Sequence, residues 1–279
     1  MTYTPPSGTL TAIDLWRFKF YPLNTDGTVK APGYPIPAAE AYNGLELQKG
    51  KSFQPNLGAP RTIPVVSQGR VQTTFILPSI EAKTAEAHLA YIDLDTFAEL
   101  TKVKARTFGG ARMMAAGTNK QGLELSGALL VSQLQSHDLD GLDVWSNYLL
   151  PRVKIAITWP AFNENPTDVT LTMSLSAAKK HVWGTALTES DDGATEFTLL
   201  PFQTWGLPNI VAWVADGAED TFVLPANDNA NDTFADTFLV YDSTSGTAVT
   251  GTPAAGQFVA GAAPTSDHIL LGWYEQIEG

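Results

Sequence analysis

Apolar and polar residues alternate along most of this chain in short runs separated by Gly, Pro, Asn and Asp. Ile13-Asp14-Leu15-Trp16-Arg17-Phe18-Lys19-Phe20 keeps an alternating texture over eight residues. Similar runs occupy Leu45–Lys49, Arg70–Leu77, Ala85–Ile92, Leu123–Leu134, Arg152–Trp159, Val169–Leu175 and Ala194–Leu200. A period of two places one face of a strand on a core and the other toward solvent or a neighbour. Runs of Thr, Val, Phe and Tyr punctuated in this way predict a mainly β fold. Helical spacing is scarce. In Asp93–Leu100, Leu94, Phe97 and Ala98 fall at i, i+3 and i+4 behind the N-cap candidates Asp93 and Asp95, which predicts one short helix. Gly141–Leu150, ending before Pro151, predicts a second. Ala85–Ala90 suits either a strand or an extension of the first helix, and the strand is preferred.

Two stretches interrupt this texture. Between Tyr21 and Val66 there are many prolines and glycines, including Pro32, Gly33, Pro35 and Pro37. Proline lacks the amide proton of a central strand, so residues 21–66 read as long connections reaching out of a sheet. Connections of that length are uncommon in compact domains and are often functional, which points to contact with another subunit. Near Trp205-Gly206-Leu207-Pro208 the composition shifts, and no Lys or Arg follows Lys180. This places a domain boundary at about residue 208, giving a main β domain at 1–208 and a small C-terminal β domain at 209–279. Runs at Thr221–Leu224 and Thr237–Tyr241 are its first strand candidates, joined through a polar loop at Asn227–Asp232.

Composition narrows the range of partners. Only 16% of residues are charged, and 17 basic residues against 29 acidic ones leave a net charge of −12. Gripping nucleic acid through its phosphates requires the opposite sign. There is no cysteine, so disulfide and thiolate chemistry are excluded. No apolar run approaches the roughly 20 residues of a membrane span. The first residues, MTYTPPSGTL, lack the basic and apolar regions of a secretory signal. The expectation is a soluble chain outside the general secretory route.

The search for a reaction centre returns no catalytic, cofactor-binding or metal-binding assignment. His88, His137, His181 and His268 are not spaced as zinc ligands. Nucleophile elbows and phosphate-binding Gly loops are missing from the sequence. Acidic clusters at Asp138/Asp140/Asp143, Asp191/Asp192 and Asp216/Glu219/Asp220 sit beside Gly141, Gly193 and Gly217, as turn residues do. In Asn227–Asp232, counting from Asp228 puts Thr233 where a calcium loop has Gly and Leu239 where it has Glu, so the spacing fails. Trp16, Trp159, Trp183 and Trp273 lie in or beside strand-like runs and read as core or subunit-interface residues.

The C-terminal part carries Ala215-Asp216-Gly217, Asp220–Pro225, Asp236–Asp242, Ala262-Ala263-Pro264 and Ile269–Tyr274 in that order. This resembles a small β module common in virion proteins of tailed bacteriophages, with a longer turn at Asp242–Gly246 than usual. In the main domain, Leu45–Phe53, Asp93–Val103, Val169–Ala177 and Gly184–Glu189 resemble phage tail tube (major tail) proteins over much of 40–200.

The resemblance implies a β-sandwich or partial barrel with one or two short helices, plus a C-terminal domain facing outward. It implies hexameric rings, formed by copies of this chain and stacked into a channel that delivers DNA. The residue 21–66 region would link successive rings. Implied partners are other tail proteins, with the tape measure protein and phage DNA in the lumen held without sequence-specific binding. An acidic lumen would let DNA slide without sticking. The implied location is the virion tail, after assembly in the host cytoplasm. No enzyme activity, cofactor or membrane partner is implied. A tail terminator, distal tail or head-decoration protein remains open, as does a carbohydrate-binding protein or glycosidase.

Overall fold

The computed structural model describes residues 16–30, 44–59, 61–67, 70–77, 81–90, 92, 100, 105–114, 125–137, 143–158, 168–184, 195–224, 239–254 and 257–276. These residues form antiparallel strands, beginning with β1 (Trp16–Pro22), β2 (Leu45–Asn56), β3 (Arg61–Ser67), β4 (Arg70–Leu77) and β5 (Thr84–Leu89). Next come β6 (Ala105–Phe108), β7 (Ala111–Met114), β8 (Leu125–His137), β9 (Asp143–Thr158), β10 (Val169–Leu175) and β11 (Ala178–Lys179). A single 3-10 turn at Lys180–Val182 precedes β12 (Glu196–Phe197), β13 (Leu200–Thr204), β14 (Leu207–Val214) and β15 (Thr221–Val223). The chain continues through β16 (Leu239–Asp242), β17 (Thr247–Ala248), β18 (Gly251–Ala254), β19 (Gln257–Ala260) and β20 (Ile269–Gln276).

Seven strands form one sheet in the order β10-β5-β2-β1-β8-β9-β13, and β10 also pairs with β9. That extra pairing closes β1, β2, β5, β10, β9 and β8 into a ring. A wholly antiparallel ring needs an even number of strands, and closure removes the open edges a flat sheet would leave. The 16 residues of β9 serve two neighbours. Its later part, Val153–Thr158, pairs with β10, while Trp145–Leu149 pairs with β13. Phe18, Phe20, Leu47, Phe53, Leu129, Val131, Val153, Leu171 and Met173 fill the interior with their neighbours.

Glycine lets the ring accommodate its aromatic filling. A Cβ on Gly50 would lie 2.0 Å from a Phe18 ring carbon, and one on Gly127 2.2 Å from a Phe20 ring carbon. Register shifts occur at Gly50/Ser52 and Gly127/Leu129. Bulges at such places bend a sheet far enough to close.

The change of sheet falls between Thr204 and Leu207. From there β14-β20-β16-β17 form a four-stranded sheet, and β15-β19-β18 a three-stranded one. Alternation along β14 divides it between two cores. Ile210 and Ala212 join Tyr21, Ala128, Leu130, Leu149 and Trp183 against the outer wall of the ring. Val211 and Trp213 join Phe222, Phe258, Leu270 and Tyr274 between the two later sheets. The C-terminal unit is therefore fused to the barrel through a continuous apolar layer. Lys19 Nζ donates to Asn209 Oδ1 at 2.5 Å and Ile210 N to the Tyr21 hydroxyl at 3.3 Å, adding polar ties.

Several expectations change. Gly141–Leu150 does not form a helix: from Asp143 it is strand β9. Val144, Trp145, Asn147, Leu149 and Leu150 are all buried, because this part of β9 meets different cores on its two faces. The segment expected to be helical is a strand with buried residues on both faces. Ala85–Ala90 falls mostly in β5, so the preferred strand is the observed form. Of the helix expected over Asp93–Leu100, residues 93–99 lie outside the described residues; Leu100 is helical and buried. The 21–66 region contains β2 and nearly all of β3 as well as connections, and β2 is held on both sides by β1 and β5. The run Ala194–Leu200 resolves into two pieces, β12 and the start of β13.

Gly127→Ala should destabilise the protein by about 1–3 kcal/mol, as expected for overpacking a filled core. Urea unfolding followed by tryptophan fluorescence measures this, and an unchanged midpoint would remove Gly127 as a condition for seating Phe20.

Candidate functional site

Among the described residues, those singled out for chemistry do not converge. His88 lies on β5, with Nε2 2.9 Å from Glu86 Oε1 and Nδ1 3.4 Å from Thr170 Oγ1. His181 sits in the 3-10 turn. Among the described residues no three His, Asp or Glu side chains gather as metal ligands. Asp216 accepts the amides of Ala218 and Glu219, each at 2.8 Å. Those donors, Glu219 first and then Ala218, hold its carboxyl below the ordinary range, as turn chemistry requires. Asp143 begins β9 opposite His137. Asp138, Asp140, Asp191, Asp192 and the loop 227–232 lie outside the described residues.

Asp242 is a site that sequence reasoning saw only as the start of a long turn. Its Oδ1 accepts Thr244 N at 3.0 Å and Ser245 N at 3.1 Å, closing the turn from β16 to β17. Its Oδ2 lies 2.6 Å from Nδ1 of His268, at the start of β20. Burial would raise the carboxyl's pKa. Hydrogen bonds from His268 and Ser245 outweigh that effect, and the carboxyl stays below its ordinary value. A hydrolytic triad would need a nucleophilic hydroxyl on the far nitrogen of this histidine. The neighbouring hydroxyls are engaged elsewhere: Ser243 donates to Val182 O, Thr244 accepts Ile269 N, and Ser245 pairs with Thr247. The arrangement is a clamp binding the β16–β17 turn to β20.

A groove opens where β13 on the barrel meets β16 and β20. It encloses about 210 Å³, lined chiefly by Trp183, Phe202, Tyr241, Trp273, Leu239 and Glu275. Trp273 and Phe202 meet edge to face at 6.0 Å, and Trp273 Nε1 donates to Trp183 O at 3.1 Å. Gly184, at φ 135°, lets the Tyr241 ring approach: a Cβ there would be 2.8 Å from it. Glu275 Oε2 accepts the amides of Trp205 and Gly206 at 3.1 and 3.0 Å, so the carboxylate fixes the turn between the two units. Leu239 is 49% exposed, a large apolar side chain left open to solvent.

The remaining features suited to contact are two β ribbons. β3 pairs with β4 and β6 with β7, and in the described sheets neither pair gains a third strand. A two-stranded ribbon is marginally stable alone, and ribbon edges are a common place for another chain to add a strand.

No family model matches the chain, and no curated protein matches it. The described part defines a mainly β protein with two fused sheet units.

Asp242→Asn should lower stability by about 1–3 kcal/mol near neutral pH, the range for hydrogen bonds to a charged group. The depressed carboxyl stabilises the fold above its unfolded pKa of about 3.9. That contribution disappears as pH falls through the folded value, so the gap to wild type should narrow below about pH 4. Urea midpoints between about pH 3 and 7 measure the gap. A gap independent of pH would refute the ionised clamp.

Proposed function

We propose that this chain is a structural virion protein, the subunit of a phage tail tube. Copies form hexameric rings, and the rings stack into the channel for DNA delivery. The observation that carries the reading is the pair of ribbons β3–β4 and β6–β7, which among the described residues pair with no third strand, in a chain whose six-stranded ring closes on itself. Ribbons of this kind are suited to building sheets with other copies. The resemblance of segments within 40–200 to tail tube proteins, and of the C-terminal segments to a phage β module, supports the same role. The net charge of −12 suits a conduit along which DNA slides without adhering. The role needs neither a catalytic centre nor a cofactor. Its partners are other copies, other tail proteins, and the tape measure protein and DNA in the lumen.

Negative-stain images of concentrated protein should show rings or tubes with a central hole and sixfold class averages. The protein should also be among the most abundant bands of the isolated particle. A compact monomer under all conditions, including in virions, would overturn the proposal; one or a few rings' worth of copies would assign the chain to a terminator or distal position. Replacing residues 62–76 with a Gly-Ser linker should abolish rings while far-UV circular dichroism retains the barrel's strand signal. Unimpaired ring formation would exclude β3–β4 from the contact.

A further inference from the structure

The groove lies where the barrel meets the C-terminal unit, and its lining limits what can occupy it. Aromatic and aliphatic side chains dominate. Two of its polar groups are engaged: Glu275 holds two backbone amides, and Thr204 Oγ1 accepts Asn147 Nδ2 at 2.8 Å and donates to Gly206 O at 2.7 Å. A sugar, with a hydroxyl on nearly every carbon, would find few partners there. Aromatic-lined grooves accept extended, proline-containing segments, whose backbone makes no internal hydrogen bonds and so presents free carbonyls.

The chain supplies such a segment. Residues 1–15 precede β1 and include Tyr3-Thr4-Pro5-Pro6, with no Asp, Glu, Lys or Arg before Asp14. Fifteen residues reach up to about 50 Å when extended. Their departure point is known: Trp16 shares a register row with Gln133, Ser146 and Gln203, and Gln203 adjoins the groove residue Thr204. Charge favours a contact of this composition between copies. Subunits that each carry −12 repel one another, so an uncharged segment meeting an apolar groove avoids adding like charge to the interface.

We propose that the groove is the docking site for the N-terminal segment of a second copy, with Tyr3, Pro5 and Pro6 against its aromatic lining. This rests on the self-assembly reading above and gives it a specific subunit contact. Leu239, 49% exposed, forms the open rim.

The absence of cysteine makes the test direct, because every thiol in a variant is an introduced one. Chains carrying Tyr3→Cys and, separately, Leu239→Cys, with different affinity tags, are mixed at assembling concentration and oxidised. A disulfide between the two tags, mapped by peptide mass spectrometry, is the expected result. Loss of both thiols within one monomer of the double variant would show the segment docked on its own chain and overturn the second-copy assignment.

Leu239→Asp, at a half-exposed position, should reduce ring yield at least about tenfold at unchanged thermal midpoint. Rings without the inter-tag disulfide, together with wild-type assembly by Leu239→Asp, would sink the groove contact and leave the tube reading standing. The disulfide without rings or tubes would do the reverse.

Discussion

The β8–β9 wall has a different hydrophobic core on each side, and the rest of the molecule depends on it. Leu129 and Val131 point into the barrel, while Ala128 and Leu130, one residue away, meet the C-terminal unit. Neither face can be given to water. Removing the second unit would expose Leu130, Leu149 and Tyr21 together, an apolar patch of the kind monomeric proteins rarely present. β14 repeats the condition one layer further out, with Ile210 and Ala212 inward and Val211 and Trp213 outward. Burial at roughly 25 cal/mol per Å² on each face binds three layers into one body. The described units are thus coupled by packing, with Lys19–Asn209 and Tyr21–Ile210 fixing alignment more than supplying stability.

Edges are the second organising problem. β10 closes the ring by pairing with both β5 and β9, and the bulged, glycine-bearing strands make that curvature possible. β13 takes the edge of β9 that β10 does not reach. Among the described strands, the two ribbons pair with no third strand. In an assembly reading they are the strands whose partners belong to other copies, and the C-terminal unit has no need to contribute to that closure. The Asp242–His268 clamp keeps the later hairpin on β20, close to the groove residues Tyr241 and Trp273.

Strands with one polar face were legible along the chain. β1, β5 and β10 appear nearly where alternation places them, because in β10 Val169, Leu171, Met173 and Leu175 are buried and the residues between are more exposed. The 143–150 segment was misread because burial on two faces erases the polar half of the period. β14 was missed for the same reason, although the uninterrupted Ile210-Val211-Ala212-Trp213-Val214 is itself a signal of a strand between layers. Leu45–Lys49 marked the start of β2, but proline density between residues 21 and 66 hid the rest of that strand and β3, since Pro55 and Pro64 sit within strands. The groove and the clamp left little local trace: Trp183 is 90 residues from Trp273, and Asp242 is 26 from His268.

The sequence by itself determined the β character, the position near residue 208 where the composition changes, and the turns built on Asp216 and Asp242. These follow from side-chain period and from short-range hydrogen bonds between a carboxylate and nearby amides. Tertiary structure alone decided ring closure, the fusion of the two units and the aromatic groove. Each depends on which faces meet across long separations, and a pattern of period two records that a strand has a buried face without recording what that face touches.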